Sequence, residues 1–357
     1  MMRCKSFSYY ALVDRDKSPG VAKKIDNTVI AANNLGFDTQ KEIYPPTVSG
    51  VFAFIHTLLK EKADVVTIRF SDLVFPLLFF VLIILRVRCK KVIIDVPTPR
   101  KTLIKELNCL NINPLKKNIR KAWTYFSASW ILMPANQIIQ YADEARWFLW
   151  GVEYKTQKMG NGILIDEQIH VISSHWPDKE LRLIGVAQMA NWHGYDRLIR
   201  ALRLLGKDCP EFKVHLVLVG EGSELQALKD LVVSCGLQKK VTFTGMLIGA
   251  DLNRIFDNAH IGIASLGLYR KGLDEASDLK TREYMARGLP VIGVGRDPDF
   301  DVNCPYRFVV PNDDSVEELA ELIYSFRNRK LPNANEIRQF AEERLSLEGK
   351  LRHLLSL

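Results

Sequence analysis

With 357 residues, 47% of them apolar, the chain is too long for one core to keep growing and too apolar to stay disordered, so two domains of about 150 to 200 residues are expected. Its formal charge of +8 is concentrated: Arg86 to Lys121 hold eleven Lys or Arg against two acids, Asp95 and Glu106. Such a surplus draws phosphates on nucleic acid, lipid headgroups or a phosphorylated substrate, or else it is a solvated face.

Six cysteines (Cys4, Cys89, Cys109, Cys209, Cys235 and Cys304) lack a CxxC spacing and matching His clusters. They read as free thiols of a reducing compartment and imply no metal. No cleavable leader is recognisable in the first residues. The longest apolar run, Leu73 to Leu85, has thirteen residues and includes Pro76, short of the ~20 that span a bilayer. A soluble or peripheral protein in the cytoplasm is expected.

In chain order, Phe7 to Val13 forms a first strand, and Val21, Ile25, Val29 and Ala32 mark a helix behind it. The Ser18-Pro19-Gly20 turn places helix N-terminal amides at Gly20, with Lys23 and Lys24, at the carboxyl end of that strand, where open α/β sheets bind ligands. A helix near Val51 to Lys60, a strand at Val65 to Ile68, an apolar helix over Leu73 to Leu85 and a strand at Val92 to Val96 follow. The apolar helix and its basic sequel, to Lys91, fit either a helix buried on the sheet or an interfacial membrane anchor. Trp130 to Met133 is expected as a strand and Gln137 to Phe148 as a helix. The Gly160-Asn161-Gly162-Ile163 turn marks a domain boundary, giving 1–160 and 161–335 as domains and 336–357 as a final helix.

The second half restarts the alternation: strand Leu181 to Val186, helix Tyr195 to Leu205, strand Val214 to Val219, helix Ser223 to Cys235, strand Val241 to Thr244, helix Asp251 to Asp257 and strand Ile261 to Ala264. Strands alternating with helices give a parallel sheet whose loops gather at one edge. Gln188 to His193, Gly220 to Gly222, Gly245 to Met246 and Ser265 to Glu283 should therefore converge on one pocket. The last of these runs into GLYRKGLDEASDLKTREYMARGLPVIGVG, Gly267 to Gly295. Ser277 or Asp278 caps a helix over Leu279 to Arg287, Gly288 and Pro290 stop it, and Val291 to Val294 is a buried strand. Glu275 lies in the loop, with Lys280 and Glu283 in the first turns of the helix.

A P-loop and a kinase signature are absent, and GEGSEL lacks the third glycine of a dinucleotide fingerprint. Asp14-Arg15-Asp16 and Asp297-Pro298-Asp299 are D-x-D triplets, which could hold a divalent ion on a diphosphate but are short enough to arise by chance, and no metal is expected. The basic stretch lacks interleaved aromatics beyond Trp123, Tyr125 and Phe126, so nucleic acid is not expected as a partner.

Gly160-Asn161-Gly162-Ile163, GVAQMANWHGYDRLIRAL, LVLVGEGSELQAL, VTFTGML and EASDLKTREYMARGLPVIGVG, in this order, cover about half the chain. Taken together they resemble the retaining glycosyltransferases of family 4, and GVAKKI and VIIDVPT in the first half are reminiscent of enzymes that build bacterial surface polysaccharides. The resemblance implies a GT-B fold: two Rossmann-like α/β domains with parallel sheets facing across a cleft, and a C-terminal helix crossing back to the first. It implies transfer of a sugar from a nucleoside-diphosphate sugar to a lipid-linked or oligosaccharide acceptor, with retention and without a cofactor or required metal.

It further implies Glu283 on the ribose, Glu275 on the donor sugar, and Lys280 with the Leu279 amide at the diphosphate, where Gly220, Gly245 and Met246 complete the nucleotide site. The family usually places an Arg and a Lys after the second domain's first strand, and this chain has Gln188 and His193 there. His193 is cationic only if its pKa is raised, so the grip should lean on Lys280, on Lys23 or Lys24, or on Arg270 and Lys271. The acceptor is expected on the first half, with peripheral membrane contact through residues 73–121 at the inner face of the cytoplasmic membrane. A sugar-nucleotide epimerase of the same architecture and a non-catalytic relative are the rival readings.

Overall fold

The computed structural model describes residues 5–16, 18–88, 91–109, 113–127, 129–165, 169–172 and 180–356. Cys4, Cys89 and Lys90, together with parts of the boundary stretch, lie outside them. The chain divides into two units, Met1–Leu164 with Leu347–Leu357, and Ile165–Ser346.

The first unit runs β1 (Ser6–Leu12), α1 (Pro19–Asn34), β2 (Asp38–Tyr44), α2 (Val48–Lys60), β3 (Val65–Arg69), α3 (Leu77–Val87), β4 (Lys91–Val96), α4 (Arg100–Cys109), α5 (Pro114–Phe126), β5 (Gln137–Gln140), α6 (Arg146–Leu149) and β6 (Thr156–Lys158). The strands are parallel in the order β2-β1-β3-β4-β5-β6. Helices cover both faces, so the inner strands are buried on both sides. Phe7, Tyr9, Val65 and Ile93 join one core, and Tyr10, Val66, Ile68 and Ile94 the other.

Three expectations change here. Trp130 to Met133 is not a strand: Ser129–Leu132 forms a 3-10 turn, with the Trp130 ring packed on Phe75 and Phe79. The strand lies instead at Gln137–Gln140, where a helix was expected, because Ile138 and Ile139 point to opposite buried faces. The apolar helix over Leu73 to Leu85 resolves into a 3-10 turn at Asp72–Val74 and α3 beyond Pro76. On α3, Leu78, Val81, Leu82 and Leu85 are buried at helical spacing, while Leu77, Phe80, Ile84 and Val87 face solvent.

The second unit runs β7 (Leu181–Val186), α7 (Tyr195–Asp208), β8 (Val214–Val219), α8 (Leu225–Ser234), β9 (Val241–Gly245), α9 (Gly249–Asp257), β10 (Ile261–Ile263), α10 (Leu279–Ala286), β11 (Val291–Val294), β12 (Arg307–Val310), α11 (Glu317–Ser325) and α12 (Ala334–Phe340). Its parallel order, β12-β11-β10-β7-β8-β9, reverses direction between β7 and β10. That reversal opens a crevice at the carboxyl ends of these two strands.

The expected final helix is broken. A π turn at Ala341–Leu345 follows α12, and Ser346 turns extended before α13 (Leu347–Leu355). Ile337, Ala341 and Leu345 are buried in the second unit against α10. Only α13 belongs to the first unit, through Leu347, Leu351 and Leu354, which share a core with Phe7 and Ile25.

Candidate functional site

The crevice of the second unit is built from the loops that follow β7 and β10. Leu266 N–H donates to the His193 carbonyl at 2.9 Å and Gly267 N–H to the Trp192 carbonyl at 3.2 Å, so the loops are joined backbone to backbone. Gly194 permits this: it has a φ of +65°, and a Cβ there would lie 2.7 Å from the Leu266 carbonyl carbon. Buried Arg197, on α7, donates to the carbonyls of Leu266 at 3.2 Å and Pro311 at 2.9 Å. A third loop closes in at Gly220, where a Cβ would stand 2.0 Å from the Ala187 carbonyl oxygen.

Between them lies a pocket of about 370 Å³, whose walls include Trp192, His193, Ser265, Lys271, Leu279 and Lys280. The Asp278 carboxylate caps α10 by accepting from Thr281 N–H at 3.2 Å. Burial pushes its pKa up, but Lys280, the Thr281 hydroxyl and Arg282 outweigh burial and hold it below the ordinary range.

Lys280 carries the chemistry. Its Nζ is removed from solvent, has no hydrogen-bond partner among the described residues and sits 5.6 Å from the centroid of the Tyr195 ring. Burial lowers its pKa to about 8, with Asp278 opposing the shift. An unpaired dry ammonium is costly unless a ligand pairs it. The pocket thus presents a cation and the first amides of α10 to an incoming anion.

The condition for a cationic His193, a raised pKa, is not met. Burial, helped by the charge of Lys280, pushes its pKa down to about 3, so the ring is neutral. Its Nδ1 accepts from Ala190 N–H at 3.0 Å, and the ring stacks on Tyr195 at an interplanar angle of 20°. Arg270 is also not available to a ligand: it pairs with Asp196 at 2.7 Å and with Asp314 at 3.2 Å. Lys271 remains at the pocket wall, its Nζ 4.7 Å over the Trp192 ring.

Glu283 lies on α10 with Oε1 accepting from Arg287 at 3.1 Å, and Glu275 is buried in the preceding loop, bridged to Arg296 through the backbone. Neither lines the pocket wall itself, whereas Leu279 does. Gln188 and Met246 are exposed, and Gly245 has a φ of +72° at the end of β9.

In the first unit, Gly20 and Lys23 are exposed at the start of α1. Lys24 turns onto the sheet instead of toward the edge. Its Nζ stands 3.6 Å from the Tyr141 ring, and burial lowers its pKa to about 8 against the pull of Asp95. Asp95 accepts from the Tyr9 hydroxyl and, at 3.2 Å, from Arg69.

The second D-x-D triplet is structural. Both Asp297 oxygens and one of Asp299 receive the fully buried Arg282 guanidinium. Asp14 accepts from the Asp16 amide at 3.2 Å, and no cluster of three metal-ligating side chains occurs among the described residues. Asp278 takes the capping role expected of it or Ser277, whereas Tyr195, which backs the His193 ring, is not foreseen; the Gly194 turn before it is the signal that points to it.

The family model for glycosyl transferases group 1 matches residues 180–328. A curated relative, mannosylfructose-phosphate synthase of Agrobacterium fabrum, is 30% identical over 116 residues, which is 31% of this chain and 24% of that protein. The chain thus spans about a quarter of that relative's length. Among solved structures, Anabaena HepE in complex with UDP superposes with a TM-score of 0.68 at 14% identity, covering 99% of this chain and 100% of that one. Sucrose-phosphate synthase from Thermosynechococcus elongatus gives 0.67 at 13%, covering 99% and 98%. The lipopolysaccharide outer core galactosyltransferase WaaB gives 0.67 at 10%, covering 98% and 99%. With the two six-stranded parallel sheets, these likenesses establish a two-domain Rossmann-like GT-B fold.

Proposed function

We propose that the protein transfers a glycosyl group from a nucleoside-diphosphate sugar to an acceptor hydroxyl with retention of configuration, in the synthesis of an envelope polysaccharide. The observation that carries this reading is the dry, unpaired Lys280 ammonium at the first turn of α10, inside the stretch matched to glycosyl transferases group 1. The bond from the anomeric carbon to the diphosphate oxygen breaks, and its electron pair leaves with the diphosphate. The acceptor oxygen attacks the same face, and its proton passes to the departing phosphoryl oxygen. Lys280 and the amides at Leu279 stabilise the charge that develops there. Glu283 holds the ribose and Glu275 the donor sugar. No step needs a metal, since the ammonium and helix amides meet the diphosphate charge. HepE is described in complex with UDP and UDP-glucose, which makes uridine donors the first to try.

Thermal-shift screening against uridine, guanosine, thymidine and adenosine diphosphate sugars tests the reading. A donor at 100 times its dissociation constant should stabilise by roughly 2.7 kcal/mol. Absence of a shift with every one of them defeats the assignment.

The acceptor belongs to the first unit and is lipid-linked, and that unit docks on the anionic cytoplasmic face of the membrane. No helix among the described residues is long and apolar enough to cross a membrane. The solvent face of α3 continues into aromatic contacts of Phe75 with Trp123 at 5.1 Å and of Phe79 with Trp130 at 5.5 Å. Leu115, Ile119 and Phe126 of α5 are exposed beside them, and Arg86, Lys101, Lys116 and Arg120 have no acidic partner among the described residues. Reversing Arg86, Lys101, Lys116 and Arg120 to Glu should weaken partition onto anionic vesicles by about 1,000-fold, at roughly 1 kcal/mol per cation lost. Partition equal to that of the parent would remove the membrane from the proposal.

A further inference from the structure

His193 lines the pocket beside Lys280 and Lys271, and its surroundings fix both its charge and its tautomer. The Ala190 N–H aims at Nδ1 from 3.0 Å, so Nδ1 must keep its lone pair and the ring proton sits on Nε2. Protonating Nδ1 would set two N–H groups head to head. Nε2 has no protein partner among the described residues, and the ring lines the pocket beside Lys280.

The Ala190 amide and the Tyr195 ring hold the imidazole where it is. It is stacked on the buried Tyr195, and its own carbonyl is held by Leu266 N–H at 2.9 Å. The groups facing it are the cations Lys280 and Lys271, which disfavour an imidazolium, and the carboxylate Asp278, which favours one; burial and the cations prevail.

We propose that His193 binds the phosphate-bearing ligand as a neutral donor through Nε2–H, in a tautomer imposed by the Ala190 amide. This rests on the donor reading above. A lysine attracts any anion from several ångströms, whereas a fixed N–H rewards only an oxygen placed in its line. The ligand thus meets the ammonium groups of Lys280 and Lys271 and, at His193, one uncharged directional donor, and that position selects geometry more than charge.

Titration with UDP, CDP, GDP, TDP and ADP as probes, joined to nitrogen-15 spectra of the imidazole, tests this. The spectra should show an Nε2–H tautomer that does not titrate between pH 5.5 and 7.5, and affinity attributable to this residue should be flat over that range. His193→Phe keeps the stacking surface and removes the donor; it should weaken diphosphate binding by about 10-fold or more, as expected for a hydrogen bond to a charged group. His193→Gln, which restores an N–H donor without a possible charge, should recover part of that loss. A titration of the ring near pH 6.5, or His193→Phe binding as tightly as the parent, overturns the proposal and leaves the donor reading standing. Failure of the parent protein to bind any of the diphosphates overturns both.

Discussion

Replacing Lys280 by methionine lowers kcat/KM for glycosyl transfer by about 100-fold or more, as removal of a group that stabilises developing negative charge does elsewhere, while leaving the melting temperature unchanged or higher. The two effects have opposite signs for one reason. In the free protein the ammonium is buried with no hydrogen-bond partner among the described residues, and the attraction of Asp278 offsets burial only in part, so a methionine of similar shape relieves a penalty. In the donor complex the same ammonium faces the leaving diphosphate, and nothing in the methionine variant replaces it.

Burial depresses the folded-state pKa of Lys280 from 10.5 to about 8. The penalty is therefore fully present below pH 8 and fades as pH rises toward the unfolded value. Donor binding runs the other way: the diphosphate favours the charged form, so affinity is highest below pH 8 and falls above it, with uptake of a proton on binding. Calorimetry in buffers of different ionisation heat, at pH 8.5, should detect that proton in the parent and lose it in Lys280→Met. A variant with parental kcat/KM would show that the ammonium has no part in the chemistry.

Arg282→Met should destabilise the second unit by about 3 to 5 kcal/mol, the cost of stripping the partner from buried charge. Arg282 is fully buried and is received by Asp297 and Asp299, with Phe300 5.5 Å from its guanidinium carbon. Its pKa is raised: burial opposes the charge, and the paired carboxylates more than compensate. Without it, two carboxylates are left in a dry setting and must take up protons or open the fold. Urea denaturation measures the loss, and adding Asp297→Asn and Asp299→Asn to the same chain should restore much of it. A loss below about 1 kcal/mol, the level of an exposed ion pair, would refute this account.

Most of the second unit is legible in the sequence, because its strands are buried runs such as VHLVLV and its turns carry glycines that packing demands. Strands β2, β6 and β12 escaped notice, and all three are sheet edges. DTQKEIY and TQK are polar because an edge strand half faces water, so hydrophobic periodicity has nothing to report there. QIIQ reads as helix for the opposite reason: four residues buried on both faces have no period to distinguish strand from helix.

In the site, the motif points to Lys280 and Leu279 on the pocket wall, while the state of His193 could not be read. Its neutrality depends on the Ala190 amide, on stacking with Tyr195 and on the nearness of Lys280, which spacing along the chain does not encode. Arg270 shows the same limit: as a letter it is a cation in a binding loop, and in space it is already shared by Asp196 and Asp314.

The helix α13 has a consequence for the order in which the chain can mature. The core of the first unit includes Leu347, Leu351 and Leu354, which are synthesised only after all of residues 165–346. The second unit is continuous in sequence and needs no residue made later than Ser346. On the ribosome, therefore, the unit begun first is the one completed last: one of its two cores lacks Leu347, Leu351 and Leu354 while the unit that carries the candidate donor site is made.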